Sequence, residues 1–313
     1  TEICREKFWH TSLVRKLLII ALAIALSGCS QSPDATSITI SQDQVRSISL
    51  STPASFTASR VVVLANGVAE IMQSLNAQSI IVGRDISSSE DSLSQIPIVT
   101  SGHQVLAEKV IALKPDLVII DASTGPQSAI DLIRSSGVRV VKTPESWRLG
   151  DISVKVRAVA AAIGAHLQAE QLVQQIDQSL ATSQLSWTPR VAFLYLRGTS
   201  SVYLIGGSGS GADSLLEALG AIDVGAKELD RPFNTLTAES LAQLNPDVIM
   251  VMSKGLESVG GVKGLLKLPG VAQTKAGKNS AIIDVDDSLL LSFGTRTSSL
   301  LQALAKALEQ VRG

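Results

Sequence analysis

An alternation of short β-branched runs with helix-like segments constrains the fold most strongly. RVVVLA at residues 60–65 is followed by the helix-like GVAEIMQSLNA and then by SIIVGRD. The helix-like AEKVIAL, a Lys-Pro-Asp turn, LVIIDA, the helix-like GPQSAIDLIRSSG and VRVVKT continue the series. Runs of this length, separated by about ten residues of helical periodicity, predict an α/β architecture with mostly parallel sheets.

A second series opens at Val191 with VAFLYLRG, VYLIGG, ADSLLEALGA, AESLAQL, Asn-Pro-Asp and VIMVMS. Residues 107–120 (AEKVIALKPDLVII) and 238–251 (AESLAQLNPDVIMV) align without a gap, sharing Ala, Glu, Leu, Pro and Asp. One such echo is only suggestive, but matching element order on either side favours a duplicated, two-lobe architecture. Between the series, residues 151–183 hold Gly164 as their one glycine and no proline. Their Ala, Leu, Ile and Val recur at helical spacing and predict one long helix joining the lobes, with Gly164 the point where it would break. The expected division is a leader over 1–28, a flexible tether over 29–57 rich in Ser, Thr, Gln and Asp, an N-terminal lobe over 58–150, the linking helix over 151–186 and a C-terminal lobe over 187–313.

The leader is recognisable by its chemistry. Arg15 and Lys16 precede LLIIALAIAL, an apolar run too short to cross a bilayer, followed by Ser27, Gly28 and Cys29. That is an export signal, and Leu-Ser-Gly-Cys resembles the bacterial lipobox, in which the cysteine becomes the lipidated first residue. The competing reading is a plain secretory signal whose cysteine is accidental. Residues 1–14, which begin with Thr, form a mixed-charge prelude that puts the biological start in question. With Cys4 and Cys29 the two cysteines of the chain, no disulfide framework or Cys-rich metal site is expected. A net charge of -1 gives no sign of a nucleic-acid partner.

Three features carry candidate chemistry. Gly207-Ser-Gly209-Ser-Gly211-Ala212 follows an apolar run and opens a helix, matching a G-x-G-x-x-A dinucleotide fingerprint with Glu228 and Asp230 about 20 residues on. The competing reading, which is favoured, is a turn that needs glycine for its backbone alone. His103 lies in a Ser-Gly loop before a helix; the other histidines are His10 and His166, so a bare ion would lack partners there. One imidazole does suffice for iron already held in a macrocycle. Tyr195 and Arg197 are two apart on an extended segment and lean to the same side. A cation beside a phenol favours phenolate, a hard ligand suited to ferric iron. Spacing alone favours a strand-end core tyrosine capped by a solvated arginine; the carboxyl-end positions of both His103 and Tyr195, where ligands gather in α/β sheets, argue the other way.

Over roughly residues 58–310 the chain resembles the haem-binding lipoproteins of bacterial ABC haem importers, within the class III substrate-binding group that also serves siderophores and cobalamin. The resemblance rests on RVVVLANGVAEIMQSLNA, VTSGHQVLAEKVIALKPDLVII, VAFLYLRG, GADSLLEALGA and above all GLESVGGVKGLLKLPGVAQTKAGKNSAIIDVDDSLLLSFGTRT. It implies two lobes bridged by a rigid helix, a non-enzymatic receptor, and haem carried as ligand in the cleft. It further implies axial ligation of the iron by His103 and Tyr195, Arg197 hydrogen-bonded to the phenolate, and Arg296 as a propionate contact. Docking to the permease in this group uses an acid on each lobe. Glu217 fits one; in the other lobe Gln127 and Ser128 stand where relatives often have Glu, leaving Asp131 or Glu70. A cell-membrane location, lipid-anchored through Cys29 on the extracytoplasmic face, completes the expectation. The rivals are a siderophore or cobalamin receptor of the same fold, an exported dinucleotide enzyme using Gly207, Gly209 and Ala212, and an adhesion lipoprotein with no small ligand.

Overall fold

The computed structural model describes residues 36–52, 55–180, 185–198 and 203–312; the export signal and Cys29 lie outside them. Thirteen strands occur among them: β1 (Ile38–Ile40), β2 (Val61–Val63), β3 (Ile81–Arg84), β4 (Thr100–Ser101), β5 (Gln104–Val105), β6 (Leu117–Ile120), β7 (Arg139–Lys142), β8 (Arg190–Tyr195), β9 (Leu204–Gly206), β10 (Ile222–Asp223), β11 (Phe233–Thr235), β12 (Val248–Met252) and β13 (Ile282–Val285). They build two main sheets. One is four-stranded and wholly parallel in the order β3-β2-β6-β7. The other runs β1-β13-β12-β8-β9-β11, with β10 beside the start of β8, and β9 and β11 are antiparallel to their neighbours.

β2, β6 and β12 read as unbroken apolar runs because helices cover both faces of their sheets, and every residue in them is buried. Each such side chain contributes roughly 1.5–3 kcal/mol by leaving water. One apolar cluster runs through both sheets, joining Val61, Val63 and Ile71 to Phe193, Met250 and Leu300. A second covers the other face of the four-stranded sheet.

The repeat read in the sequence has a structural counterpart. Helices Ala107–Ala112 and Ala238–Leu244 each end in a left-handed residue, Lys114 and Asn245, before the Pro-Asp pair. Asp116 then accepts the Arg60 backbone N–H, and Asp247 accepts that of Arg190. The two arginines reach back in the same way, Arg60 to Leu113 O at 2.7 Å and Arg190 to Leu244 O at 2.8 Å.

Two expectations are revised. The helix expected between the lobes does break at Gly164, at φ 84°, and is a pair, Ile152–Ile163 and His166–Ser179, rather than one continuous element. The pair is antiparallel, since Ser153 Oγ lies 3.1 Å from Asp177 and Arg157 pairs with Glu170 at 2.8 Å. The expected tether over 29–57 is also too long. β1 adds a parallel edge strand to β13, and Val45 and Leu50 are buried, so Thr36 onward belongs to the folded body. No helix among the described residues is long and apolar enough to cross a membrane.

Candidate functional site

Tyr195 ends β8, half-buried, with its ring against Phe233 of β11 at 5.4 Å between centroids. Phe233 also meets Phe193 at 6.2 Å. The sequence reasoning missed this aromatic support; β11 is only three residues long and gave no periodic signal. Arg197 aims two donors at one oxygen: Nε lies 3.0 Å and Nη2 2.8 Å from Tyr195 Oη. Two donors from a rigid fork fix the phenol oxygen in place.

His103 sits at the tip of the hairpin formed by β4 and β5, where Ser101 pairs with Gln104. Gly102 takes φ 56° and His103 follows with negative φ, the pattern of a two-residue type II′ turn that calls for glycine first. The hairpin is held at the carboxyl edge of the four-stranded sheet: Val99 N–H donates to Arg84 O at 2.9 Å and Val105 N–H to Gly125 O at 2.8 Å. The imidazole is exposed and bonds no other described residue. Tyr195 and Arg197 are thus brought together by direct contact, while His103 stands on a separate element. No group of three or more His, Cys, Asp or Glu among the described residues is arranged to hold a bare ion.

Arg296 and Glu70 are the residues the structure moves out of their expected roles. Glu70 is fully buried, so it cannot face a permease. It accepts Arg296 N–H at 2.6 Å and Arg296 Nε at 2.8 Å, while Arg296 Nη2 reaches Glu90 at 2.9 Å. Arg296 is only 4% exposed and already bound to two carboxylates, which leaves no open cation for a propionate. Burial pushes the Glu70 carboxyl up, but the Arg296 charge and hydrogen bonds outweigh it and hold it below the ordinary range. For Glu90 burial wins over the attraction of Arg296, and its carboxyl is raised. In VAEIMQS every residue but Gln73 is buried, so that helix has no wet face for a free carboxylate.

The dinucleotide reading also falls. β9, which precedes the glycine-rich turn, is antiparallel to β8, unlike the parallel strand of a dinucleotide fold. Asp213 fills the turn with its own carboxylate, accepting Gly209 N–H at 2.7 Å and Gly211 N–H at 2.9 Å. A phosphate would meet a negative charge there. Glu217 is exposed beside a surface cavity of about 390 Å³ that Arg148 and Lys227 also line. Asp131 is exposed and engaged by its own helix, with Gln127 at 2.8 Å and Arg134 at 3.2 Å.

Two α/β sheets, with candidate ligands at their carboxyl edges and an antiparallel helix pair between them in sequence, define the class of a bilobal substrate-binding protein. The chain belongs to the periplasmic binding protein family, whose model matches residues 61–289. Among solved structures it is similar to the haem-binding protein HmuT, at 31% identity and TM-score 0.78, covering 88% of this chain and 98% of that one. It is also similar to the periplasmic haem-binding protein RhuT of Roseiflexus sp. RS-1, at 34% identity and TM-score 0.77, over 82% of this chain and all of that one. BhuT, solved with two haems, matches at 28% identity and TM-score 0.74, over 83% of this chain and 100% of that one. A curated relative, the ABC transporter substrate-binding lipoprotein YvrC of Bacillus subtilis (strain 168), is 26% identical over 212 residues; the match spans 65% of each chain.

Proposed function

We propose that this protein is an extracytoplasmic receptor that captures haem and delivers it to an ABC permease. Its iron is ligated by the His103 imidazole and the Tyr195 phenolate, with Arg197 holding the phenolate oxygen. The observation that carries this reading is the Arg197 fork on Tyr195 Oη, which holds the proposed ligand oxygen in one position. The names of the similar structures, which are haem-binding proteins, support the choice of ligand. The exposed imidazole on its hairpin supports a second ligand of a different kind. A lipid anchor at Cys29 is supported by the signal preceding it and by the name of the curated relative. Glu217 is the docking acid of the seven-stranded side, and Asp131, on an exposed helix face, that of the other.

Titration of the purified protein with haemin tests the reading. Wild type is expected to give a shifted Soret band, and His103→Ala and Tyr195→Ala each a different band and about 10- to 100-fold weaker binding. A spectrum indifferent to losing both residues would return the chain to the siderophore or cobalamin class.

A further inference from the structure

Glu70, Arg296 and Glu90 come from distant parts of the chain. Glu70 lies on the helix after β2, Glu90 in the loop after β3, and Arg296 in the segment after β13. The Glu70–Arg296 pair, separated by 226 residues, is buried on both sides, with side-chain exposures of 0% and 5%. Two further contacts stitch the same junction. Lys155 Nζ donates to Ser292 O at 2.8 Å, and the Gly67 backbone passes so near that a Cβ there would lie 2.3 Å from Ser292 O.

We propose that Arg296 is a positioning residue that fixes the span between the two ligand-bearing edges. Burial in the apolar cluster shared by the sheets is a non-directional driving force and does not by itself name one register. A guanidinium held by two carboxylates is directional and sets one register. The connections run to both ligands. The loop holding Glu90 leads into the His103 hairpin, and Arg84 braces it by donating to Ser88 O, Leu93 O and Ile96 O. From Arg296 the path runs back through β13 and β12 to β8, which ends in Tyr195. The inference rests on the His103/Tyr195 clamp.

A double-mutant cycle tests it, because a residue that sets the span matters only while both ligands are used. Arg296→Met leaves Glu70 buried without its partner, so a charge-free pair, Glu70→Gln with Arg296→Gln, is measured beside it. Each is made with His103 intact and with His103→Ala, and haemin affinity and the Soret band are recorded. The expected result is about a tenfold loss of affinity with His103 present. In the His103→Ala background, where Tyr195 binds alone, the loss shrinks to less than about twofold. Equal losses in both backgrounds would mark Arg296 as merely structural, and no loss in either would remove it altogether. If His103→Ala alone leaves affinity and spectrum unchanged, the clamp itself fails, and the positioning role with it.

Discussion

Tyr195 offers an oxygen that already accepts two N–H donors, so its partner is as sensitive a position as the tyrosine itself. Lysine at 197 supplies a point charge and cannot copy the fork. Arg197→Lys is therefore expected to weaken haemin binding about tenfold, measured by absorbance titration, with less spectral change than Tyr195→Ala. Lys155 gives a second prediction at this scale. Burial pulls its ammonium down to about 8, against the attraction of Glu70, Asp121 and Glu145. In the unfolded chain a lysine titrates near 10.4, so between these values the unfolded chain holds more protons than the folded one. Stability then rises with pH across that window, by up to about 3 kcal/mol. Urea unfolding at pH 8 and at about pH 10 checks this, and the part of the slope due to Lys155 disappears in Lys155→Met.

At the scale of elements, the hairpin that carries His103 depends on the positive φ of Gly102. An added Cβ would touch nothing within 4 Å, so Gly102→Ala isolates the backbone cost, roughly 1–2 kcal/mol. The expected outcome is that small loss by urea unfolding together with weaker haemin binding, since the turn re-aims the imidazole. Elements were legible where pattern and environment agreed. Both helix-Pro-Asp-strand units were readable because their strands are buried on both faces and their turns share Pro and Asp. The antiparallel helix pair was not, because Gly164 in a helical pattern signals a possible break without saying which way the chain goes next. β1, β10 and β11 are two or three residues long and take their identity from neighbouring strands. For the site, the two-residue spacing put Tyr195 and Arg197 on the same side, as their contact shows, but spacing alone favoured a core tyrosine with a solvated arginine. Glu70 and Arg296 were misassigned because a pairing over 226 residues leaves no local trace.

The whole molecule is two sheets sharing one apolar cluster, with buried charges pinning the seam. Breaking that seam from one side is expected to cost about 3–5 kcal/mol, since Arg296→Met strands a buried carboxylate. Thermal unfolding of Arg296→Met beside Glu70→Gln/Arg296→Gln checks this, with the charge-free pair the more stable of the two. The pairing of β1 with β13 bears on how far the receptor can roam. With Cys29 as the proposed anchor, only residues 30–35 separate the lipid from the folded body. A stretch of that length reaches at most about 25 Å. The receptor would then hunt for its cargo within arm's length of the membrane, at a high local concentration beside its permease, and would wait for donors to come to it.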